Sequence, residues 1–344
     1  VTATKDGWTF VGWNTDKDAT TALTSLKMGT EDVTLYAIFK KEVTATFDYY
    51  DSGLKNATTS CVMYNNETIC NYEIPTAVTS SVGPNETVYK GLSSKASSSE
   101  LTTTYNSNTT KYYAVYDVIK SATYYYYNGT AQTSATASGT RTALSDGTTY
   151  KITEGEITIP EVVTSSTGPS NATYSGIASV INQTTSASST TAISTYYAYY
   201  SGKWNIRYAK GAGVNAIGST GTTCDSNKVS NGTNYLETSC EVTLPEITAE
   251  VGYTVTGWYD NTTKVGTANE KYQVTKDVTL TAQTNINAYA VTYDYATNGG
   301  SSATKTSATV NYNSTIDLSV TATKDGWTFV GWNTDKDATT ALTS

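Results

Sequence analysis

The chain has no histidine, and only two methionines, four phenylalanines and five prolines among its 344 residues. Without histidine, the usual general base near neutral pH and the commonest metal ligand are both missing. No stretch of the sequence approaches the ~20 consecutive apolar residues that a membrane-spanning helix requires. Charge is scarce at 15%, with 22 basic against 30 acidic residues, and a net negative chain makes a poor partner for nucleic acid. The shortage of phenylalanine is offset by 29 tyrosines. Each pairs a rigid apolar ring with a wet hydroxyl, which suits strands whose two faces are both half buried. With abundant Ser, Thr and Asn, this is the composition of mainly β structure in thin sheets.

Residues 1–25, VTATKDGWTFVGWNTDKDATTALTS, return letter for letter as residues 320–344. The chain is therefore one 319-residue period plus a 25-residue overlap into the next copy. Identity of this kind marks copies newly made or kept uniform, and a single active centre has no use for many copies in series. Reach, rigidity and multivalent contact do. Removing the two lysines and three aspartates of the overlap leaves 20 basic and 27 acidic residues, a balance of −7 per period.

A weaker repeat lies inside the strong one. Closing strands are expected at Val33–Phe39, Tyr112–Tyr116, Tyr196–Tyr200 and Val278–Thr284, each with an alanine in register: Ala37, Ala114, Ala198 and Ala282. These are 77, 84 and 84 residues apart, and the step to the next Ala37 is 74, so four units fill the period with little left for linkers. The units are 42–118, 119–202 and 203–286, with 1–41 the closing half of one unit and 287–344 the opening part of another. Opening strands are expected at Val43–Tyr50, Ala122–Tyr127, Trp204–Lys210 and Ala288–Tyr295. Turn residues follow, such as Asp51-Ser52-Gly53, Asn128-Gly129 and Asn298-Gly299-Gly300. Pro75, Pro160 and Pro245 should end strands or sit on edges, since proline cannot donate to a ladder. A glycine stands eight residues after two of them, Gly83 and Gly168. The signature Gly7-Trp8-Thr9-Phe10-Val11-Gly12-Trp13 is matched by Gly252–Trp258. Strict alternation would set Trp8, Phe10 and Gly12 on one face and Thr9, Val11 and Trp13 on the other. No long helix is expected; Ser93–Thr102 could hold one turn or two.

At these residues the chain resembles the Listeria–Bacteroides repeat family, also called the internalin B-repeat type. The likeness rests on Asn298-Gly299-Gly300, Gly326–Trp332 and Thr34-Leu35-Tyr36-Ala37, and more loosely on 203–286. It implies small β-grasp-like units, so that the expected fold is a mainly β, elongated tandem array of four such units per period. It also implies a place in a modular, secreted bacterial surface protein. It transfers no catalytic residue and no cofactor.

Cys70 and Cys240 each stand five residues before a proline, with Cys61 and Cys224 upstream. Equivalent placement in two units argues for a disulfide within each, worth about 3 kcal/mol by the chain-entropy model. A structural zinc site would need four ligands together, and the pairs belong to different units. Ten N-x-S/T sequons are possible glycosylation sites: Asn56, Asn66, Asn85, Asn108, Asn128, Asn171, Asn182, Asn231, Asn261 and Asn313. Most fall in expected turns, where an acceptor is accessible. Trp8, Trp13, Trp204 and Trp258 could form a sugar-stacking platform, but reading them as each unit's own small core is the stronger account. Asp16-Lys17-Asp18 lacks the glycine and distal glutamate of a calcium loop and reads as a solvated turn. The leading expectation is a non-enzymatic, cell-surface fibre or stalk whose partners are neighbouring copies of the same repeat. The alternative is a multivalent adhesin for glycans or host surface proteins. Peptide mapping without reduction should recover Cys61–Cys70 and Cys224–Cys240; free thiols, or a bond between units, would overturn the pairing.

Overall fold

A computed structural model describes residues 1–343 as strands and turns with two one-turn α-helices and two short 3-10 turns. The described chain divides into two bodies. One holds residues 1–166, 174–199 and 230–234, the other residues 167–173, 200–229 and those from 235 onward.

The first body contains β1 (Thr9–Asn14), β2 (Tyr36–Tyr50), β3 (Leu54–Tyr64), α1 (Thr76–Thr79), β4 (Val88–Ser93), β5 (Lys111–Tyr127), β6 (Gln132–Ser145), β7 (Tyr150–Thr153), α2 (Glu161–Thr164), most of β8 (Thr173–Ala178) and the start of β9 (Thr195–Lys210). In unit 42–118, β2 and β3 form a hairpin, α1 leads the chain over, and β5 returns parallel to β2 through Thr46↔Lys111, Phe47↔Tyr112 and Asp48↔Tyr113. With β4 antiparallel on the far side of β5, the order is β3-β2-β5-β4. A parallel pair formed by the first and last strands, flanked by a hairpin arm, is the β-grasp arrangement. Unit 119–202 repeats it as β6-β5-β9-β8, with Tyr124↔Tyr196 and Tyr125↔Tyr197 in parallel register.

The second body carries the rest of β9, then β10 (Val214–Ile217), β11 (Gly221–Ser230), β12 (Tyr235–Glu237), β13 (Cys240–Thr243), β14 (Ile247–Ala249), β15 (Tyr253–Asp260), β16 (Thr263–Gly266), β17 (Lys271–Val274) and β18 (Val278–Ile286). Its order β11-β9-β18-β15 repeats the same path, with β9 parallel to β18 from Ile206↔Val278 to Lys210↔Ala282. Beyond it, β19 (Ala288–Thr292) pairs with β21 (Ser307–Asn311), and β20 (Ser302–Ala303) with β22 (Ala322–Thr323).

Tyrosine is more deeply placed than half-buried strands would require: Tyr112, Tyr116, Tyr124, Tyr196 and Tyr200 are fully buried. Facing residues of the parallel pairs stack their rings, Phe47 on Tyr112 at 5.1 Å and Tyr124 on Tyr196 at 5.1 Å. Tyrosine is used because the buried ring still delivers a hydroxyl to a loop backbone. The Asn106 amide donates to the Tyr112 hydroxyl at 3.0 Å, and the Thr190 amide to that of Tyr196 at 2.8 Å. The expected four-tyrosine run splits accordingly, with Tyr124 buried and Tyr125, Tyr126 and Tyr127 half-buried.

Three local expectations are corrected. Ser93–Thr102 holds no helix; 3-10 turns lie at Pro84–Glu86 and Pro169–Asn171, and single α-helical turns, α1 and α2, come directly after Pro75 and Pro160. Proline's fixed φ and missing N–H suit a helix start, so these two prolines open turns, and Pro245 alone follows a strand end. Strict alternation across the tryptophan signature also fails. A β-bulge falls between Phe10 and Gly12, between Tyr89 and Gly91, and between Val255 and Gly257. The extra residue brings Trp13 to the face of Phe10, their rings 5.5 Å apart. Gly12 and Gly257 take φ of +148° and +133°, which side chains rarely adopt.

Gly257→Ala would strain the backbone and drive a Cβ into the Gly266 carbonyl oxygen, so chemical denaturation should show a loss of about 1–3 kcal/mol; unchanged stability would contradict the bulge. A second outcome concerns alkali. Burial pushes the Tyr89 hydroxyl from 10.0 up to about 12, and those of Tyr116 and Tyr150 upward too. Because the folded state favours the neutral phenol, this stability is complete below pH 10.0 and is lost as pH rises through about 12. Near-ultraviolet titration should show late tyrosine ionisation coinciding with loss of circular dichroism. Full ionisation at the ordinary value in an intact fold would contradict it.

Candidate functional site: the joints between repeats

No linker separates unit 1–41 from unit 42–118. The expected closing strand and opening strand, thought to abut, are one strand, the 15-residue β2. Lys40 pairs with Thr9 of β1 on one side and with Tyr64 of β3 on the other, so the handover occurs at a single residue. The 17-residue β5 does the same for units 42–118 and 119–202. Its Tyr116 lies between Tyr89 of β4 and Ala143 of β6, and its Asp117 between Val88 and Thr142. β-branched and aromatic residues run through both strands, and neither glycine nor proline interrupts them.

Side-chain and backbone hydrogen bonds lock these joints. Asn65 donates its side-chain amide to the carbonyls of Lys17 at 3.1 Å and Ala19 at 2.8 Å, while its side-chain oxygen accepts the Phe39 amide at 3.0 Å. One asparagine of unit 42–118 thus holds the loop after β1 and the closing strand of residues 1–41. At β5, the Ser97 amide donates to the Ser145 carbonyl at 2.7 Å, and Lys120 pairs with Glu86 at 3.0 Å. That ion pair lowers the Glu86 carboxyl below its usual range, chiefly through the hydrogen bond from Lys120. Between β18 and β19 the strand breaks at Asn287, which is clamped from both directions. Its amide donates to the Gly252 carbonyl at 2.8 Å, its carbonyl accepts the Tyr312 amide at 2.8 Å, and its side-chain oxygen accepts the Thr254 hydroxyl at 2.6 Å. Sequence reasoning did not single out Asn65 or Asn287; the signal available was a polar residue at each strand junction.

The four tryptophans considered as a sugar platform are occupied. Trp258 is fully buried and donates to the Pro245 carbonyl at 2.8 Å. Lys228, itself 2% exposed, sets its ammonium 4.4 Å from the Trp204 ring and is held by Glu237 at 3.1 Å and Ser226 at 2.8 Å. Lys5 covers Trp8 at 3.8 Å, and Trp13 packs on Phe10 and donates to the Val1 carbonyl at 2.9 Å. Asp16 and Asp18 form an exposed turn in which the Asp18 amide donates to the Asp16 carboxylate at 2.9 Å. Among the described residues, no group of three or more potential metal ligands of the Cys, Asp and Glu types converges.

Cys61 of β3 is joined to Cys70 and Cys224 of β11 to Cys240 of β13, with Cα separations of 5.7 and 6.0 Å. Of the ten sequons, Asn56 lies inside β3, where it pairs with Asp48. Asn66, Asn85, Asn108, Asn128, Asn171, Asn182, Asn231, Asn261 and Asn313 lie in turns or loops. Five of these, Asn85, Asn171, Asn182, Asn261 and Asn313, take positive φ. At Asn128 and Asn231 the side-chain oxygen is engaged by the following Thr130 and Thr233. No described helix is long and apolar enough to cross a membrane.

Residues 1–38, 219–283 and 289–344 match the Listeria-Bacteroides repeat domain. A 91-residue stretch is 40% identical to Internalin H of Listeria monocytogenes, covering 26% of this chain and 15% of that protein. The chain thus spans a small part of the curated relative. No solved structure gives a significant match. Segments 42–118 and 119–202 lie outside the matched residues, yet their strand order is that of 203–286. These three segments carry the Listeria-Bacteroides repeat domain.

Proposed function

We propose that this protein is a structural element of a bacterial surface, a stalk or fibre in which tandem repeats hold a more distal part of the molecule away from the cell. The observation that carries this reading is the shared strand. At β2 and β5 the ladder of one repeat continues into the next without a free residue. Bending there requires breaking several backbone hydrogen bonds at once, each worth about 0.5–1.5 kcal/mol net, whereas a flexible linker would bend freely. Disulfides in two units suit an oxidising, extracellular setting, and the relation to Internalin H supports a surface location. The reading is non-enzymatic and needs no cofactor. A multivalent adhesin remains the rival, but the occupied tryptophan faces give glycan stacking no support.

Proteins of one, two and three periods, measured by small-angle scattering and electron microscopy, should lengthen in proportion to the number of periods. Growth close to the square root of chain length would mark a flexible string and sink the stalk reading. Ile119→Pro, in the middle of β5 where it pairs with Thr140, should introduce visible kinks at one joint per period. Glycan-array binding by one period, lost on Trp13→Ala with folding retained, would favour the adhesin instead.

A further inference from the structure

In unit 42–118 one carboxylate has lost its water without gaining a full set of partners. Asp48, near the end of β2, is 0% exposed. Neither of its carboxylate oxygens accepts a hydrogen bond from a described residue. Its charge partner is the Lys111 ammonium, 3.2 Å from Oδ2.

Strand register sets this pair up. Thr46 lies opposite Lys111 and Asp48 opposite Tyr113, so Asp48 and Lys111 are diagonal neighbours on one face of the parallel pair. Tyr150 of β7 donates its hydroxyl to the Asp48 backbone carbonyl at 3.0 Å and packs its ring on Tyr50, further along that face. The Lys111 nitrogen stands 5.2 Å from the Tyr113 ring, and its side chain is 45% exposed. The equivalent positions hold no such pair: Tyr125 and Thr195 in unit 119–202, and Ala209 and Thr279 in unit 203–286. The β-grasp scaffold therefore does not require a carboxylate here. A buried carboxylate with one poorly aligned cation does not recover what it lost on leaving water. A neutral amide would remove both charges and keep the two strands side by side.

We propose that Lys111 and Asp48 condense to an intramolecular amide, a covalent clamp across the parallel strands of unit 42–118. The ammonium passes a proton to the Oδ2 it faces, giving a neutral amine and a carboxylic acid. The Nζ lone pair attacks Cγ and the N–C bond forms. The bond from Cγ to the hydroxyl oxygen then breaks, and hydroxide leaves with a proton from nitrogen as one water. No oxidant, reductant or cofactor is consumed, and the exposed side of Lys111 gives the water its way out. The clamp concerns the unit itself and is independent of the stalk reading.

Mass spectrometry of the full chain, after storage at neutral pH and reduction of its disulfides, tests this. The intact mass should fall short of the sequence mass by one water. Trypsin should leave the bond after Lys111 uncut and release residues 42–55 joined to residues 96–120. Lys111→Arg keeps the positive charge but lacks the primary amine, and should restore the full mass and abolish the joined pair. Separate peptides with a normal cut after Lys111 in the parent chain would overturn the proposal. So would a water loss that persists in Lys111→Arg, because that marks ring closure at an Asp-Gly step such as Asp146-Gly147.

Discussion

The contact on which units 42–118, 119–202 and 203–286 depend is the parallel pairing of their opening and closing strands. Parallel strands cannot be joined by a tight turn, so the chain must leave, cross over and return before the pair can form. Everything else in the unit follows from that detour. The hairpin arm covers one side of the opening strand, the signature strand covers the other side of the closing strand, and the disulfides of two units tie the intervening chain to the arm. Ring stacking at Phe47–Tyr112 and Tyr124–Tyr196 rewards the return. In unit 203–286 the same position pairs Tyr208 with Leu280. The crossover differs there, with short strands where the other units have helical turns.

This constraint also explains the glycines that recur eight residues after Pro75 and Pro160. Gly83 lies against the Tyr116 ring and Gly168 against the Tyr200 ring, with no space for a Cβ at either. Each glycine lets the backbone approach a tyrosine two residues beyond the register alanine. The bulge glycine of the tryptophan signature acts in the closing half of the unit, where it turns Trp13 onto Phe10 and makes a small aromatic core from a short strand. Tryptophan here is a packing residue, and the cations of Lys5 and Lys228 rest on the faces left over.

Mainly β structure, the alanine register and the turns at Asp51–Gly53 and Asn128–Gly129 were legible because they depend on composition and local backbone preference. So was the burial of Trp258. Less legible were features set by tertiary context. Alternation assumes two residues per pleat, and the bulge at Gly12 breaks that count where the sequence shows only another glycine. The helical turns after Pro75 and Pro160 are too short for a helical period to register. Strand fusion at Lys40 and Tyr116 was hidden because closing and opening segments have different patterns, and a ladder can change partners without changing sequence character. The clearest case is the 25-residue identity itself. Residues 9–14 are a strand and residues 328–333 are not, so no reading of those letters alone could assign both; a strand is defined by its neighbour.

Shared strands also govern how such an array comes apart. β5 supplies a closing strand to one core and an opening strand to the next, so unfolding either unit strips hydrogen-bond partners from the other. The repeats therefore melt as coupled neighbours rather than as independent beads. A protease that removed one unit would leave a bare sheet edge on the next, a surface ready to pair with any free strand nearby. Damage to an array of this kind is thus sticky, and broken ends gather on one another instead of drifting away.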